Sequence, residues 1–246
     1  MSFFFNLGRY LLLMKNTFGK PLNHRYFFRQ VVSEIDSIGI SSLGIVSVIS
    51  VFIGAVLVIQ AGYQMQNPLI PAYTLGYGVR ESIILEFSPT IVSLILSGKI
   101  GSSIASQIGT MRVTEQIDAL DIMGINSANF LILPKVIAGL VSFPFIVLIS
   151  MMIGISGGYF AAILWGISSS TDFIAGLNYW FVPFEITYAV IKATFFSFLI
   201  VSISAFYGYF AKGGAEDVGR ASTKAVVYSS IAILLCNLII TKLILG

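Results

Sequence analysis

Residues 130–165 contain the stretch that decides the fold, FLILPKVIAGLVSFPFIVLISMMIGISGGYFAAILW. Lys135 is its only charged residue, and apolar or small side chains fill the rest. A transmembrane helix needs about 20 such residues. A single helix with a rise of about 1.5 Å per residue would be about 54 Å long here, so it is tilted, protrudes from the bilayer, or is divided into two helices. Pro144 and the cluster of Gly154, Gly157 and Gly158 would permit a break.

The rest of the chain has a similar composition. Its 246 residues are 57% hydrophobic and only 10% charged, with a mean hydropathy of +0.92. Soluble domains carry about 25% charged residues, so the soluble class is excluded. Four more stretches are long and apolar enough to span a bilayer. The sequence therefore predicts an all-α polytopic membrane protein, with spans at 38–60, 83–107, 130–165, 186–210 and 225–245.

The placement of the basic residues predicts the orientation, because Lys and Arg accumulate on the cytoplasmic side. Five spans with the N-terminus inside make 11 of the 14 basic residues cytoplasmic. Dividing the third stretch into two spans would leave 8. We therefore expect five spans with the N-terminus inside and Gly246 outside. The 11 residues are Arg9, Lys15, Lys20, Arg25, Arg29, Lys99, Arg112, Lys135, Lys212, Arg220 and Lys224.

The first 37 residues mix aromatic and aliphatic side chains with basic ones. This pattern is typical of a helix that lies in the membrane interface, with its apolar side in lipid and its basic side toward anionic headgroups. A flexible basic tail is the alternative. We expect two parts in the chain, an interfacial N-terminal segment over 1–37 and a single transmembrane domain over 38–246.

Several classes of function are excluded by composition. One cysteine, Cys236, and one histidine, His24, leave no disulfide framework, metal cluster or ordinary nucleophile–base set. A net charge of +3 is too small to indicate nucleic-acid binding. No phosphate-binding loop motif occurs, so ATP would have to bind another chain. We expect a non-catalytic subunit without a metal or cofactor.

Small residues recur at intervals of four in the second and third stretches. Ser97, Gly101, Ala105 and Gly109 form one stripe, and Gly154, Gly158 and Ala162 form another. Small residues at this spacing let helices approach closely in lipid. The spacing fits packing within the chain and a homodimer interface equally well.

A short amphipathic helix of about nine residues is predicted between the second and third spans. Thr114 suits its N-cap, Glu115 its first turn and Gly124 the position after its last turn. Apolar residues fall on one face, opposite Asp118 and Asp121. That face consists of Val113, Ile117, Leu120 and Met123. The helix is presented to a partner or is only a solvated connection.

This segment resembles the signature of the MlaE-type (YrbE-like) permeases, the membrane subunits of lipid-transporting ABC systems. The resemblance rests on EQIDAL at 115–120, followed by Met123-Gly124 and preceded by IGTMR at 108–112, and it extends over nearly the whole chain. It implies a coupling helix that docks on an ATPase subunit, a complex of two permeases and two ATPases, and an outer lipid-binding MCE-domain protein. The implied coupling residues are Arg112, Glu115, Gln116, Ile117, Asp118, Leu120 and Met123, and the implied packing residues include Gly98, Gly101, Ala105 and Gly109.

The sequence departs from the family pattern at three positions. Lys99 stands where the family usually has arginine between Gly98 and Gly101, so the charge is kept without the bidentate fork. Gln107 replaces a usual glutamate, which removes a possible ion pair. Leu85 replaces an arginine before Glu86, and Arg80 is a candidate for the replacement charge.

Glu86 in the second predicted span and Lys192 in the fourth are ionisable residues of opposite charge. Their matching predicted depth allows them to form an ion pair or to line one cavity. A purely structural pair, or side chains that reach toward the headgroups, is the alternative. The resemblance implies a lipid pocket here, for which Phe87, Phe195 and Asn237 are further candidates, although a helix–helix hydrogen bond explains Asn237 equally well.

The leading functional hypothesis is the permease subunit of an ABC transporter in the bacterial cytoplasmic (inner) membrane. It would be a homodimer that moves phospholipids to or from a periplasmic MCE-domain carrier. The alternative is a secondary transporter that uses Glu86 and Lys192 as an ion relay, although no inverted repeat is visible. An intramembrane enzyme lacks a credible catalytic constellation.

Overall fold

The computed structural model describes residues 3–19, 24–64 and 71–245, and throughout these ranges the regular structure is helical. Three short segments, Asp36–Ile40, Ile83–Ile91 and Ser97–Gly101, are π-helical. The α-helices are α1 (Phe3–Thr17), α2 (His24–Ile35), α3 (Ser41–Gln64), α4 (Thr74–Ser82), α5 (Val92–Leu96), α6 (Ser102–Val113), α7 (Gln116–Ile122), α8 (Ser127–Leu164), α9 (Ser170–Asn178), α10 (Phe184–Tyr209) and α11 (Ala215–Leu245). Lys20 and Gly246, used in the topology prediction, lie outside the described residues.

Five helical stretches are long and apolar enough to cross a membrane, which confirms the predicted number. Their bounds are Arg25–Gln64, Thr74–Val113, Ser127–Leu164, Phe184–Tyr209 and Ala215–Ile244. The third stretch is one α-helix of 38 residues, so it is not divided at Pro144 or at the glycine cluster. An unbroken helix satisfies backbone polar groups within the segment, as lipid surroundings require. The direction in which the termini face stays a prediction.

The N-terminal segment contains two helices, not one. Helix α1 exposes apolar side chains of Phe4, Phe5, Leu11 and Leu12, as an interfacial helix would. Helix α2 continues through a π-helical segment into α3, so the first span begins earlier than the predicted residue 38. The predicted boundary between residues 37 and 38 therefore falls inside a continuous helical stretch.

The chain divides into two compact units, one assembled from three separate parts of the sequence and the other from two. We call 1–41, 94–143 and 194–246 the first unit, and 42–93 and 144–193, with two parts only, the second unit. The core of the second unit is apolar and draws on α3, α4, α8, α9 and α10. Its largest buried members are Phe173, Ile83, Ile84, Met151, Leu75 and Val147.

Small residues allow close helix contacts in both units. A Cβ atom on Gly157 of α8 would lie 2.7 Å from the carbonyl oxygen of Val51, so α3 and α8 require glycine there. In the first unit, Gly101 faces Ser204 and Gly109 faces Val218, while Ala105 is buried. Gly98 has open space around it. In the second stripe, Gly154 faces Ile83 and Gly158 faces Val58. This stripe and most of the first therefore pack within the chain.

Candidate functional site

The second span is distorted around Pro89. In an α-helix the carbonyl of Leu85 would accept a hydrogen bond from the N–H of residue 89, which proline lacks. The segment Ile83–Ile91 is instead π-helical, and the N–H of Val92 bonds to the carbonyl of Phe87. π-Helical turns are rare and occur often at functional sites. The polar groups that contact this segment are therefore candidates for a functional site.

Lys192 of α10 supplies a donor to the carbonyl of Leu85. Its Nζ lies 3.1 Å from that oxygen and 2.7 Å from Oε1 of Glu86, and it also lies 4.5 Å from the ring centroid of Tyr188. The lysine side chain is 0% exposed. Of the two arrangements that the sequence left open, the structure has the ion pair.

Glu86 is the accessible member of the pair. Its side chain is 42% exposed, and its Oε2 accepts a hydrogen bond of 3.1 Å from the hydroxyl of Thr90. An approaching ligand therefore meets the carboxylate first, while the ammonium of Lys192 is enclosed behind it. A phosphate would reach Lys192 only after Glu86 moves. That these residues contact lipid stays a prediction.

The other predicted pocket residues are divided between the units. Phe87 is half-buried in the same π-helical segment as Glu86. Phe195, which is 53% exposed, and Asn237, which is half-buried, belong to the first unit. The structure thus groups Glu86, Phe87 and Lys192 in one unit.

A buried chain of serine hydroxyls in the second unit was not predicted. The hydroxyl oxygens of Ser50 and Ser150 lie 2.9 Å apart, and Ser150 donates to Ser88 at 3.2 Å. Ser88 is two residues from Glu86, so this chain links α3 and α8 to the π-helical segment. Serines spread through apolar runs give no sequence signal, because their pairing depends on how the helices pack.

Arg80 does not supply a replacement charge beside Glu86. It is buried, and its guanidinium donates to the carbonyls of Leu177 and Tyr179 at 2.6 and 2.9 Å. It also pairs with Glu81 at 2.5 Å. Arg80 thus fixes the connection that follows α9. Just before α4, a hydrogen bond with Tyr179 of this connection raises the pKa of the Tyr73 hydroxyl.

The short helix predicted between the second and third spans is present, but its predicted start was wrong. Helix α7 begins at Gln116, and Glu115 is its N-cap in the left-handed conformation with φ of 60°. Thr114 instead ends α6, where its hydroxyl donates to the carbonyl of Thr110 at 2.8 Å. Gly124 ends α7 as predicted: its φ is +75°, and the Gly124 and Ile125 N–H groups form a Schellman motif.

The left-handed turn at Glu115 changes the face that α7 presents. Ile117 is 0% exposed and packs inside the first unit, and Val113 and Leu120 are half-buried. Ile122 and Met123 are 87% and 64% exposed, so they form the apolar surface open to a partner. The predicted face left out Ile122 because it counted Val113 on the same helix, whereas Val113 ends α6 and α7 begins at Gln116, after the left-handed Glu115. Arg112 pairs with Asp118 at 2.7 Å across the turn.

A second buried lysine was not predicted as part of a site. The topology prediction counts Lys135 among the cytoplasmic basic residues, but its side chain is only 5% exposed. Its Nζ lies 2.5 Å from Oε1 of Glu34 and 2.6 Å from Oε1 of Gln107. Glu34 thus provides a carboxylate where the glutamate usual at position 107 is missing. The departure at Gln107 was the available signal, but only the fold brings α2 to it.

No group of three or more potential metal ligands occurs among the described side chains. The buried basic residues Arg80, Lys135 and Lys192 each form an ion pair with a glutamate. None of the pairs has the nucleophile–base geometry of acyl or phosphoryl transfer.

The fold and the intramembrane pair define a class, the polytopic helical membrane proteins with a polar site inside their spans. Residues 31–243 match the family model described as Permease MlaE. The chain therefore belongs to the MlaE permease family, which confirms the resemblance and identifies it as a multi-pass protein of the bacterial inner-membrane type.

Curated relatives agree with this assignment. A "Probable ABC transporter permease protein" of Rickettsia bellii is 34% identical over 97% of this chain and 92% of its own length. The "Intermembrane phospholipid transport system permease protein MlaE" of Haemophilus influenzae is 31% identical over 100% of this chain and 94% of its own length. "Protein TRIGALACTOSYLDIACYLGLYCEROL 1, chloroplastic" of Arabidopsis thaliana is 30% identical over 90% of this chain and 63% of its own length.

Proposed function

We propose that this chain is the permease subunit of an ABC transporter that moves phospholipids between the inner membrane and a periplasmic carrier. Membership in the permease family and the name of the Haemophilus influenzae relative support the class. The observation that carries the proposal is the pair of an enclosed Lys192 and a reachable Glu86 in a π-helical segment of a membrane span.

The pair suits a zwitterionic headgroup. The exposed carboxylate of Glu86 attracts the headgroup cation, and rotation of Glu86 onto that cation frees the ammonium of Lys192 for the phosphate. Each charge keeps a partner throughout, so neither is left uncompensated in low dielectric. A conformational change that favours either arrangement would switch the site between accepting and releasing lipid.

Energy for this switch would come from a partner ATPase. Two copies of this chain would form the membrane core with two ATPase subunits, and an MCE-domain protein would receive or supply the lipid on the outer side. Helix α7 offers Ile122 and Met123 as apolar anchors for the ATPase, and its acidic residues Asp118 and Asp121 border them.

Photo-crosslinking tests the lipid site. A benzoylphenylalanine at position 87, beside Glu86, is compared with one at position 152, since Met152 is 71% exposed and belongs to the same unit but to α8. In the reconstituted complex we expect phospholipid crosslinking at 87 to change on addition of ATP and crosslinking at 152 to stay constant. An identical response at both positions contradicts the proposal, and a response at 87 to an ion gradient instead of ATP identifies a secondary transporter.

Co-purification tests the coupling surface. We expect Ile122→Asp to reduce recovery of the ATPase with the permease at least tenfold, because an interface anchor is worth about 2 kcal/mol or more. Ala119→Asp is the control, since it adds the same charge at an exposed position of α7 that is not among the implied coupling residues. Equal recovery for both variants means that α7 is only a connection.

A further inference from the structure

A cavity of about 280 Å³ lies in the first unit, where α10 ends and α11 begins. Arg9 of α1, Lys212 of the connection, and Asp217, Arg220 and Lys224 of α11 contribute its charged lining. The end of a membrane span lies at the depth of the lipid headgroups. The cavity is therefore placed at the boundary between hydrocarbon and water.

The charges around this cavity are unbalanced. Arg220 is neutralised, because it lies 2.7 Å from Glu216 and 4.0 Å from Asp217. Arg9, Lys212 and Lys224 have no carboxylate within ion-pair distance among the described residues. With Glu216 matched to Arg220, Asp217 is the carboxylate left in the lining against the charges of Arg9, Lys212 and Lys224. A net excess of positive charge thus surrounds the opening, which favours an anionic ligand.

Arg9 is held in a geometry that suits a phosphate. Its guanidinium carbon lies 3.8 Å from the ring centroid of Phe210, so the guanidinium rests against the aromatic ring. A guanidinium held in this way keeps N–H groups available for a bidentate pair with phosphate oxygens. Lys212 and Lys224 are exposed and supply mobile point charges beside it.

The surroundings are those of a lipid, since apolar surface continues from the cavity. Its inner wall includes the buried side chains of Phe206, Ala211 and Ala221. Phe5, 53% exposed on α1, has its ring centroid 5.8 Å from the Arg9 guanidinium. A soluble phosphate compound would leave this surface unused, whereas acyl chains would cover it.

We propose that this cavity binds the phosphate of an anionic phospholipid, with Arg9 as the bidentate ligand and Lys212 and Lys224 as supporting charges. The lipid joins α1 to the beginning of α11 and is a bound component of the protein, not its cargo. The site shares no residue with the Glu86–Lys192 pair, and the proposal does not depend on the transport function.

Lipid-dependent thermal stabilisation of the purified chain in detergent micelles tests this site. Dioleoylphosphatidylglycerol is titrated against the wild type, Lys212→Gln/Lys224→Gln and Arg9→Lys. The control is Lys15→Gln/Arg29→Gln, which removes two exposed charges of the N-terminal segment outside the cavity. We expect the apparent Kd to rise about tenfold in the double variant and less in Arg9→Lys, which keeps the charge but loses the fork. The control should match the wild type.

Four outcomes would overturn the proposal. An unchanged Kd in the double variant and in Arg9→Lys means that these side chains do not hold the lipid. An equal loss in the control means that anionic lipid is attracted only by overall charge. Stabilisation by inorganic phosphate as large as that by the lipid would identify a soluble phosphate ligand, and dioleoylphosphatidylcholine binding as tightly would remove the selectivity for anionic headgroups.

Discussion

The two buried lysines of this protein have different surroundings. Lys192 in the second unit pairs with Glu86, whose side chain is 42% exposed, and with a backbone carbonyl released by Pro89. Lys135 in the first unit pairs with Glu34, whose side chain is 17% exposed, and with the neutral acceptor Gln107. Both ammonium groups are enclosed, but only one of the carboxylates is open to a ligand.

This difference separates a structural pair from a candidate binding pair. Glu34, Gln107 and Lys135 come from α2, α6 and α8, so their contacts hold three helices together. Glu86 has an open side through which a ligand can exchange with Lys192, and its segment is already distorted. We therefore expect changes at Lys135 to affect stability and changes at Glu86 to affect lipid handling.

The largest effect on stability is expected from Glu34→Gln. It leaves the Lys135 charge buried with neutral acceptors only, and breaking a buried pair in this way costs about 3 kcal/mol. Thermal unfolding in detergent micelles measures the loss. Adding Lys135→Met in the same chain should restore much of the stability, since no charge is then stranded. A wild-type midpoint for Glu34→Gln would show that the pair is not a structural clamp.

Glu86→Gln should lower stability by about 2 kcal/mol, less than Glu34→Gln, because the enclosed ammonium of Lys192 keeps the carbonyl of Leu85 and the ring of Tyr188 as partners. It should instead abolish most of the ATP-dependent change in lipid crosslinking at position 87. Glu34→Gln is the matched substitution. We expect its folded fraction to keep the ATP-dependent change in lipid crosslinking at position 87, which would separate the structural pair from the binding pair. Equal destabilisation by the two variants, with no effect on crosslinking in either, would remove the distinction between the pairs.

Pro89→Ala is expected to have the smallest effect on stability, a gain of about 1 kcal/mol. Alanine restores an N–H group that competes with Lys192 for the carbonyl of Leu85. We expect lipid crosslinking at position 87 to fall while the folded chain becomes slightly more stable. Pro144→Ala in α8 is the control, because this proline lies in a helix that stays α-helical from Ser127 to Leu164. The same crosslinking in both variants as in the wild type would mean that the π-helical segment is not needed.

The number of spans could be predicted because each requires about 20 apolar residues, which is a property of local composition. The pairing of Glu86 with Lys192 could be foreseen as one of two options, since charges within spans are scarce and costly. The end of α7 at Gly124 could also be predicted from the local sequence, because this position requires a residue that tolerates a positive φ.

Other features depend on which helices meet. The predicted start of α7 was wrong because Thr114 ends α6, where its hydroxyl donates to the carbonyl of Thr110. The sequence around Thr114 fits either the end of one helix or the start of the next. The partners of Lys135 could not be foreseen because Glu34 is about 100 residues away in the chain. Nor could composition distinguish the enclosed ammonium of Lys192 from the exposed carboxylate of Glu86.

The sequence by itself determined the helical membrane class, the five spans and the family, since hydrophobic length and a contiguous motif can be read along the chain. Only the tertiary structure decided which charges are enclosed, which carbonyl Lys192 serves and which face α7 leaves open. These properties depend on contacts between residues far apart in the chain, and such contacts exist only after the helices have packed and excluded solvent from one side of each charge.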